Sequence, residues 1–168
     1  MGNQFAILHG GYIRRSEPVD SSNSTAWKKG RLCTLTTEGF GDGGIIIHTG
    51  TKVTQGASTG YPLVGMLLET RVASTTVGPT TTLTKNAAPS GEKASFLMDP
   101  TVVANDELQS GVAFAPGNLL YVSTTGFVTT SGNGTGPNSP IVGAAMSYAN
   151  AGDPGANGVL TMFFQVTY

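Results

Sequence analysis

The chain has 168 residues, 11% of them charged, with a formal net charge of −1 and one cysteine. That length fits a single domain able to bury a core without metal or disulfide staples, and one cysteine excludes an intramolecular disulfide. The charge balance gives no support for nucleic-acid binding, and so few charges match buried protein–protein surfaces better than free ones.

The charges are unevenly placed. Residues 1–31 carry Arg14, Arg15, Lys28, Lys29 and Arg31 against Glu17 and Asp20, while no basic side chain follows Lys93. The N-terminal stretch could dock on an acidic protein surface. Twenty-four Gly, nine Pro and many Thr and Ser punctuate β-branched runs, which predicts an all-β chain with many turns. No segment combines helical period, length and caps.

Residues 1–27 read as an extended N-terminal arm. Phe5-Ala6-Ile7-Leu8 is a short apolar patch, His9-Gly10-Gly11 breaks it, and Tyr12-Ile13 is a second. From Ser16 to Ala26 the chain is polar and aperiodic, too poor in apolar surface to pack alone. Two apolar anchors on a polar tether fit a segment that orders against a neighbour; an ordinary frayed terminus fits equally. Met1-Gly2-Asn3-Gln4-Phe5 has no basic n-region, and Ala6 breaks the myristoylation pattern. The expectation is a soluble chain made in a cytoplasm, without leader or membrane span.

Residues 28–168 read as the β domain. Leu32-Cys33-Thr34-Leu35 is a strand, with Leu32 and Thr34 on one face and Cys33 and Leu35 on the other. Glu38 to Gly44 is a loop, Ile45-Ile46-Ile47-His48 a short strand, and 50–60 a turn-rich connection containing Lys52-Val53-Thr54. Strands are predicted over 63–72 and 94–99, separated by a Thr- and Pro-rich connection. Asn105 to Gln109 suits a turn or one helical turn. Val112 to Phe114, Leu119 to Ser123, Gly126 to Thr130 and Ile141 to Ser147 follow as strands, with glycine-rich loops at 131–139 and 150–158. The closing run places Leu160, Met162, Phe164 and Val166 on one face and Val159, Phe163 and Thr167 on the other. A terminal strand apolar on both sides belongs in the middle of a sheet or inside an oligomer.

One pattern occurs twice. Gly30-Arg31-Leu32-Cys33-Thr34-Leu35-Thr36-Thr37-Glu38-Gly39-Phe40 aligns without gaps with Gly117-Asn118-Leu119-Leu120-Tyr121-Val122-Ser123-Thr124-Thr125-Gly126-Phe127. Pro62-Leu63-Val64-Gly65 likewise matches Pro140-Ile141-Val142-Gly143. An internally duplicated β unit would span 30–72 and 117–168.

No reactive constellation emerges. His9 and His48 are the only imidazoles, no Cys/His spacing suits zinc, and no Gly-x-Ser-x-Gly frames a serine. Gly39, Gly41 and Gly44 form a Gly-x-Gly-x-x-Gly string without a following helix. Asp106-Glu107 reads as a solvated pair on a turn rather than a cation site. Cys33, in an apolar strand, reads as a buried inert thiol. The expectation is no enzyme, no catalytic residue, no metal and no cofactor.

Glu92-Lys93-Ala94-Ser95-Phe96-Leu97-Met98-Asp99, Thr101-Val102-Val103-Ala104-Asn105-Asp106-Glu107-Leu108 and Phe114-Ala115-Pro116-Gly117-Asn118-Leu119-Leu120-Tyr121-Val122 resemble the head decoration, or capsid cement, proteins of tailed bacteriophages. So do Pro140-Ile141-Val142-Gly143-Ala144-Ala145-Met146-Ser147 and Gly158-Val159-Leu160-Thr161-Met162-Phe163-Phe164. The likeness covers about residues 28–168. It implies an all-β, small antiparallel β-barrel or sandwich-like domain with an extended arm; the long Gly-rich loops at 131–139 and 150–158 are longer than the family pattern. It also implies a non-enzymatic virion protein on the capsid exterior that clamps neighbouring major capsid protein subunits, and that self-associates as a homo-trimer or else a dimer. Phe5, Ile7, Leu8, Tyr12 and Ile13 would lie along the lattice, and Arg14, Arg15, Lys28 and Lys29 would meet acidic capsid groups; neither nucleic acid nor membrane is an expected partner. The alternative is a carbohydrate-binding or adhesin-type β module on a virion or cell surface, using an exposed aromatic among Trp27, Tyr61, Tyr121, Tyr148 and Tyr168.

Overall fold

The structure, a computed structural model, describes residues 4–10, 14–18, 29–35, 53–55, 63–68, 93–98, 100–130, 141–153 and 155–166. These residues form an all-β domain of antiparallel sheets in a sandwich-like arrangement. They contain no α-helix, only a 3-10 turn at Gly155–Gly158. Among the described strands neither large sheet closes into a barrel, so the sandwich half of the expected architecture is the one observed.

The six-stranded sheet has the order β1 (Ala6–His9), β7 (Thr101–Asn105), β13 (Leu160–Phe164), β11 (Ile141–Ala145), β9 (Leu119–Val122), β10 (Val128–Thr130). The five-stranded sheet runs β2 (Arg14–Pro18), β6 (Lys93–Leu97), β5 (Leu63–Leu67), β3 (Leu32–Leu35), β4 (Val53–Gln55). A small ribbon pairs β12 (Ala149–Asn150) with β8 (Ala113–Phe114). Val53–Gln55, within a segment expected to be a turn-rich connection, is thus a strand opposite Thr34 and its neighbours. Ile45 to His48, expected as a short strand, lies outside the described residues.

The closing strand β13 sits between β7 and β11. Its period of two separates the faces as the sequence predicts: Leu160, Met162, Phe164 and Val166 are buried, while Phe163 is exposed. Leu32, Met66 and Leu97 of the five-stranded sheet join Val103, Leu120, Val122, Val142, Leu160, Met162 and Phe164 of the six-stranded sheet in one core. Each such side chain, fully withdrawn from water, contributes about 1.5–3 kcal/mol.

The N-terminal segment lies against the sheets at their edges. Ala6 and Ile7 pair with Ala104 and Val103, and after an irregularity at Leu8 His9 pairs with Val102, while Arg14 to Pro18 pair with Leu97 to Lys93. The two described strands of this N-terminal ribbon thus lie along β7 and β6, one in each sheet. Gly10 bends the chain after β1, its φ of +105° in the region that favours glycine, and the Thr101 hydroxyl donates to the His9 carbonyl there. Pro18 is tolerated because β2 is an outermost strand. The polar stretch beginning at Ser16, without strand periodicity, becomes β-structure through this pairing rather than through its own propensity. The rest of residues 1–27 lies outside the described residues.

The two sequence-related stretches adopt matching pairings. Leu32, Cys33 and Thr34 face Met66, Gly65 and Leu63; Leu119, Leu120 and Tyr121 face Ala144, Gly143 and Ile141. Each pairing carries a register shift at the same place. Gly65 and Gly143 both have positive φ, +152° and +140°. A Cβ on either would run into a backbone carbonyl of the adjacent strand, Leu97 O or Phe163 O.

Candidate interaction surfaces

The outward face of the six-stranded sheet carries several exposed apolar side chains. Alternation along each strand points Leu8, Leu119, Ile141 and Phe163 outward, and all four are exposed. The register aligns His9, Val102, Phe163, Ala144 and Leu119 in one row across five strands. None of the six strands contains Asp, Glu, Lys or Arg.

The five-stranded sheet differs. Leu32, Cys33, Met66, Leu67, Phe96 and Leu97 are all buried, so neighbouring positions on both of its faces are covered. Burial pushes the Cys33 thiol far above its ordinary range, with the nearby Arg31 pulling the other way. As expected for a buried structural thiol, Cys33 offers no accessible nucleophile.

Arg31 is spent inside the molecule. Its Nε donates to Glu107 Oε2 at 2.5 Å, its Nη1 donates to the Thr125 carbonyl at 2.9 Å, and its guanidinium lies 3.5 Å over the Phe127 ring. The start of β3, the segment after β7 and the β9–β10 turn are thereby tied together. Glu107 is buried in this pair, which corrects its reading as a solvated turn carboxylate. Asp106 accepts the Gln4 backbone N–H at 2.8 Å, holding the N-terminus against the domain. The segment 105–109 makes no helical turn. Leu108 bridges to Val128, and the Glu107 N–H donates to Asn105 Oδ1.

The residues assigned to the arm divide into groups. Phe5 and Ile7 are half-buried and pack on the core, whereas Leu8 is exposed. Arg14 and Arg15 are strand residues of β2. Lys29 is half-buried at the turn before β3. Tyr12, Ile13 and Lys28 lie outside the described residues. The row Leu119–Ala144–Phe163 was not singled out as a surface from sequence, although the apolar second face of the closing strand held the signal.

A shallow groove of about 330 Å³ is lined by Ala113, Phe114, Ala115, Tyr148, Ala149, Asn150 and Asn157. Tyr148 is its most exposed member, at 77%. Among the described residues no group of three His, Cys, Asp or Glu is placed to hold a metal, and no helix is long and apolar enough to cross a membrane. No known family model matches the chain, and no curated protein matches it.

Proposed function

We propose that this chain is a structural protein of a tailed-phage head that binds the outer surface of the capsid and clamps adjacent major capsid protein subunits. The observation that carries the reading is the N-terminal ribbon. Its two described strands, β1 and β2, are the outermost described strand of one large sheet each, so each presents a strand edge. A strand edge can add a neighbouring chain by backbone pairing. Phe5 and Ile7 hold the segment to its own core, and Leu8 is left outward for a partner. Arg14 and Arg15 follow on the same ribbon and supply charge for an acidic capsid surface. Clamping is multivalent: modest contacts to neighbouring subunits, linked through one rigid domain, raise each other's effective concentration.

The test is co-sedimentation of the purified chain with genome-filled capsids and with compact procapsids. Binding to the first and not the second is expected, and Leu8→Asp together with Arg14→Glu should abolish it while the circular dichroism spectrum is retained. Equal binding of wild type and variant would overturn the role of the ribbon, and no binding to either particle would overturn the function. A second reading, a carbohydrate-binding module, rests on the exposed Tyr148 ring beside Asn150 and Asn157, since sugars stack on aromatic faces next to amide groups. Glycan-array binding lost in Tyr148→Ala would favour it.

A further inference from the structure

The four asparagines among the described residues fall into two pairs. Asn105 donates to the Gly30 carbonyl at 2.9 Å and accepts the Glu107 N–H at 3.0 Å, and Asn118 accepts the Ala115 N–H at 2.8 Å. These two amides are spent on holding the chain. The side chains of Asn150 and Asn157 have no hydrogen-bond partner among the described residues, and both line the groove on the β8–β12 ribbon. The Tyr148 hydroxyl, at the same groove, has none either. Three unspent polar groups thus meet at one hollow.

Local structure holds all three in place. The Met146 N–H donates to the Thr161 carbonyl at 2.8 Å, and the Thr161 N–H donates to Ser147 Oγ at 2.9 Å. Ala149 is buried and pairs with Phe114. The backbone is therefore anchored on both sides of Tyr148, while its ring stays 77% exposed. The loop that follows closes on itself. The Asp153 N–H donates to the Asn150 carbonyl at 3.1 Å, and Gly158 packs so tightly that a Cβ there would run into the Asp153 carbonyl. Asn157, in the 3-10 turn, is thereby brought back beside Asn150.

We infer that this groove is a subsite for one uncharged pyranose residue of a glycan. The inference rests on the carbohydrate reading above, deepens it by naming the sugar class, and does not depend on capsid binding. A sugar hydroxyl both donates and accepts, and an asparagine amide carries two donors and an acceptor, so each amide can bridge two neighbouring hydroxyls. The C–H face of a pyranose is apolar and packs on an aromatic ring, here Tyr148. The small Ala113 and Ala115 and the buried Phe114 and Ala149 leave a floor with no side chain in the way. Charge selects against acidic sugars. No Lys or Arg lines the groove, none follows Lys93, and the exposed Asp153 sits on the same loop. The volume of about 330 Å³ lies near the lower end of small-molecule sites, roughly 300–1,000 Å³, which suits one sugar residue rather than a long chain.

The test is an NMR titration of the isotope-labelled full chain with the methyl glycosides of glucose, galactose, mannose and N-acetylglucosamine, each up to tens of millimolar. The side-chain amide signals of Asn150 and Asn157 should move with at least one of them. Glucuronic and galacturonic acid should move them less than the responding neutral sugar. Tyr148→Ala should weaken the response at least about tenfold with the remaining spectrum preserved. Asn157→Ala, at an exposed position outside the strands, carries the comparison if the tyrosine variant fails to fold. No shift with any of the four glycosides, an equal or stronger response to the uronic acids, or shifts that survive both variants would overturn the inference. Array binding confined to acidic glycans would keep the carbohydrate reading and remove this one. Capsid binding without any sugar response would also remove it and leave the clamp standing.

Discussion

Gly30→Ala and Gly117→Ala form a matched pair of perturbations. Either alanine must adopt a left-handed backbone, at about 1–2 kcal/mol. At Gly117 nothing more is asked, because the new methyl points into open space. At Gly30 the methyl would stand 2.3 Å from Asn105 Oδ1. Asn105 cannot simply swing aside. It is fully buried, its Nδ2 donates to the Gly30 carbonyl at 2.9 Å, and its Oδ1 accepts the Glu107 N–H at 3.0 Å. Disrupting those two buried contacts adds about 1–3 kcal/mol each, for a total of roughly 3–8 kcal/mol. A chain of this length loses about 2–4 °C of midpoint per kcal/mol, so the two variants, which share the backbone strain, should melt roughly 4–24 °C apart. The assay is thermal unfolding followed by circular dichroism at one fixed protein concentration, since self-association would otherwise shift the midpoint. Equal losses for the two variants would refute the reasoning, because the shared backbone strain would then be the whole effect.

Two further outcomes follow from the interior. Arg31→Met leaves Glu107 buried without its cation and should cost about 3–5 kcal/mol in urea unfolding, while Arg31→Met combined with Glu107→Leu should recover most of that. A single variant losing less than about 1 kcal/mol would place the pair in water, contrary to its burial. Cys33 should resist a thiol reagent in the native protein and react fully in denaturant. Its folded thiol stays protonated where the unfolded one ionises, so unfolding releases a proton at high pH. The stability tied to Cys33 is complete below the ordinary thiol value of 9.0 and declines above it by up to about 1.4 kcal/mol per pH unit. A decline above that value that is steeper in wild type than in Cys33→Ala is the expected comparison, and equal slopes would refute it.

Strand existence was legible along most of the described chain because period-two alternation and glycine punctuation are local signals. The core face of the closing strand, Leu160 to Val166, could be read from its alternation before any neighbour was known. So could the likeness in sequence of the Gly30 and Gly117 stretches, which adopt matching pairings with a register shift at the same place. The burial of Cys33 followed from the apolar residues beside it.

Other features depend on contacts that no local pattern encodes. Arg31 and Glu107 are 76 positions apart, and neither stretch alone shows that the two charges meet or that the guanidinium lies over Phe127. Arg14 to Pro18 has no strand signature of its own; the β6 backbone supplies the hydrogen-bonding partner that makes it a strand. Leu32 and Leu119 are the same residue in the same pattern with opposite exposure. Alternation says which side chains share a face, but only the packing of one sheet on the other says which face is covered. That choice buries Leu32 and leaves Leu119 exposed.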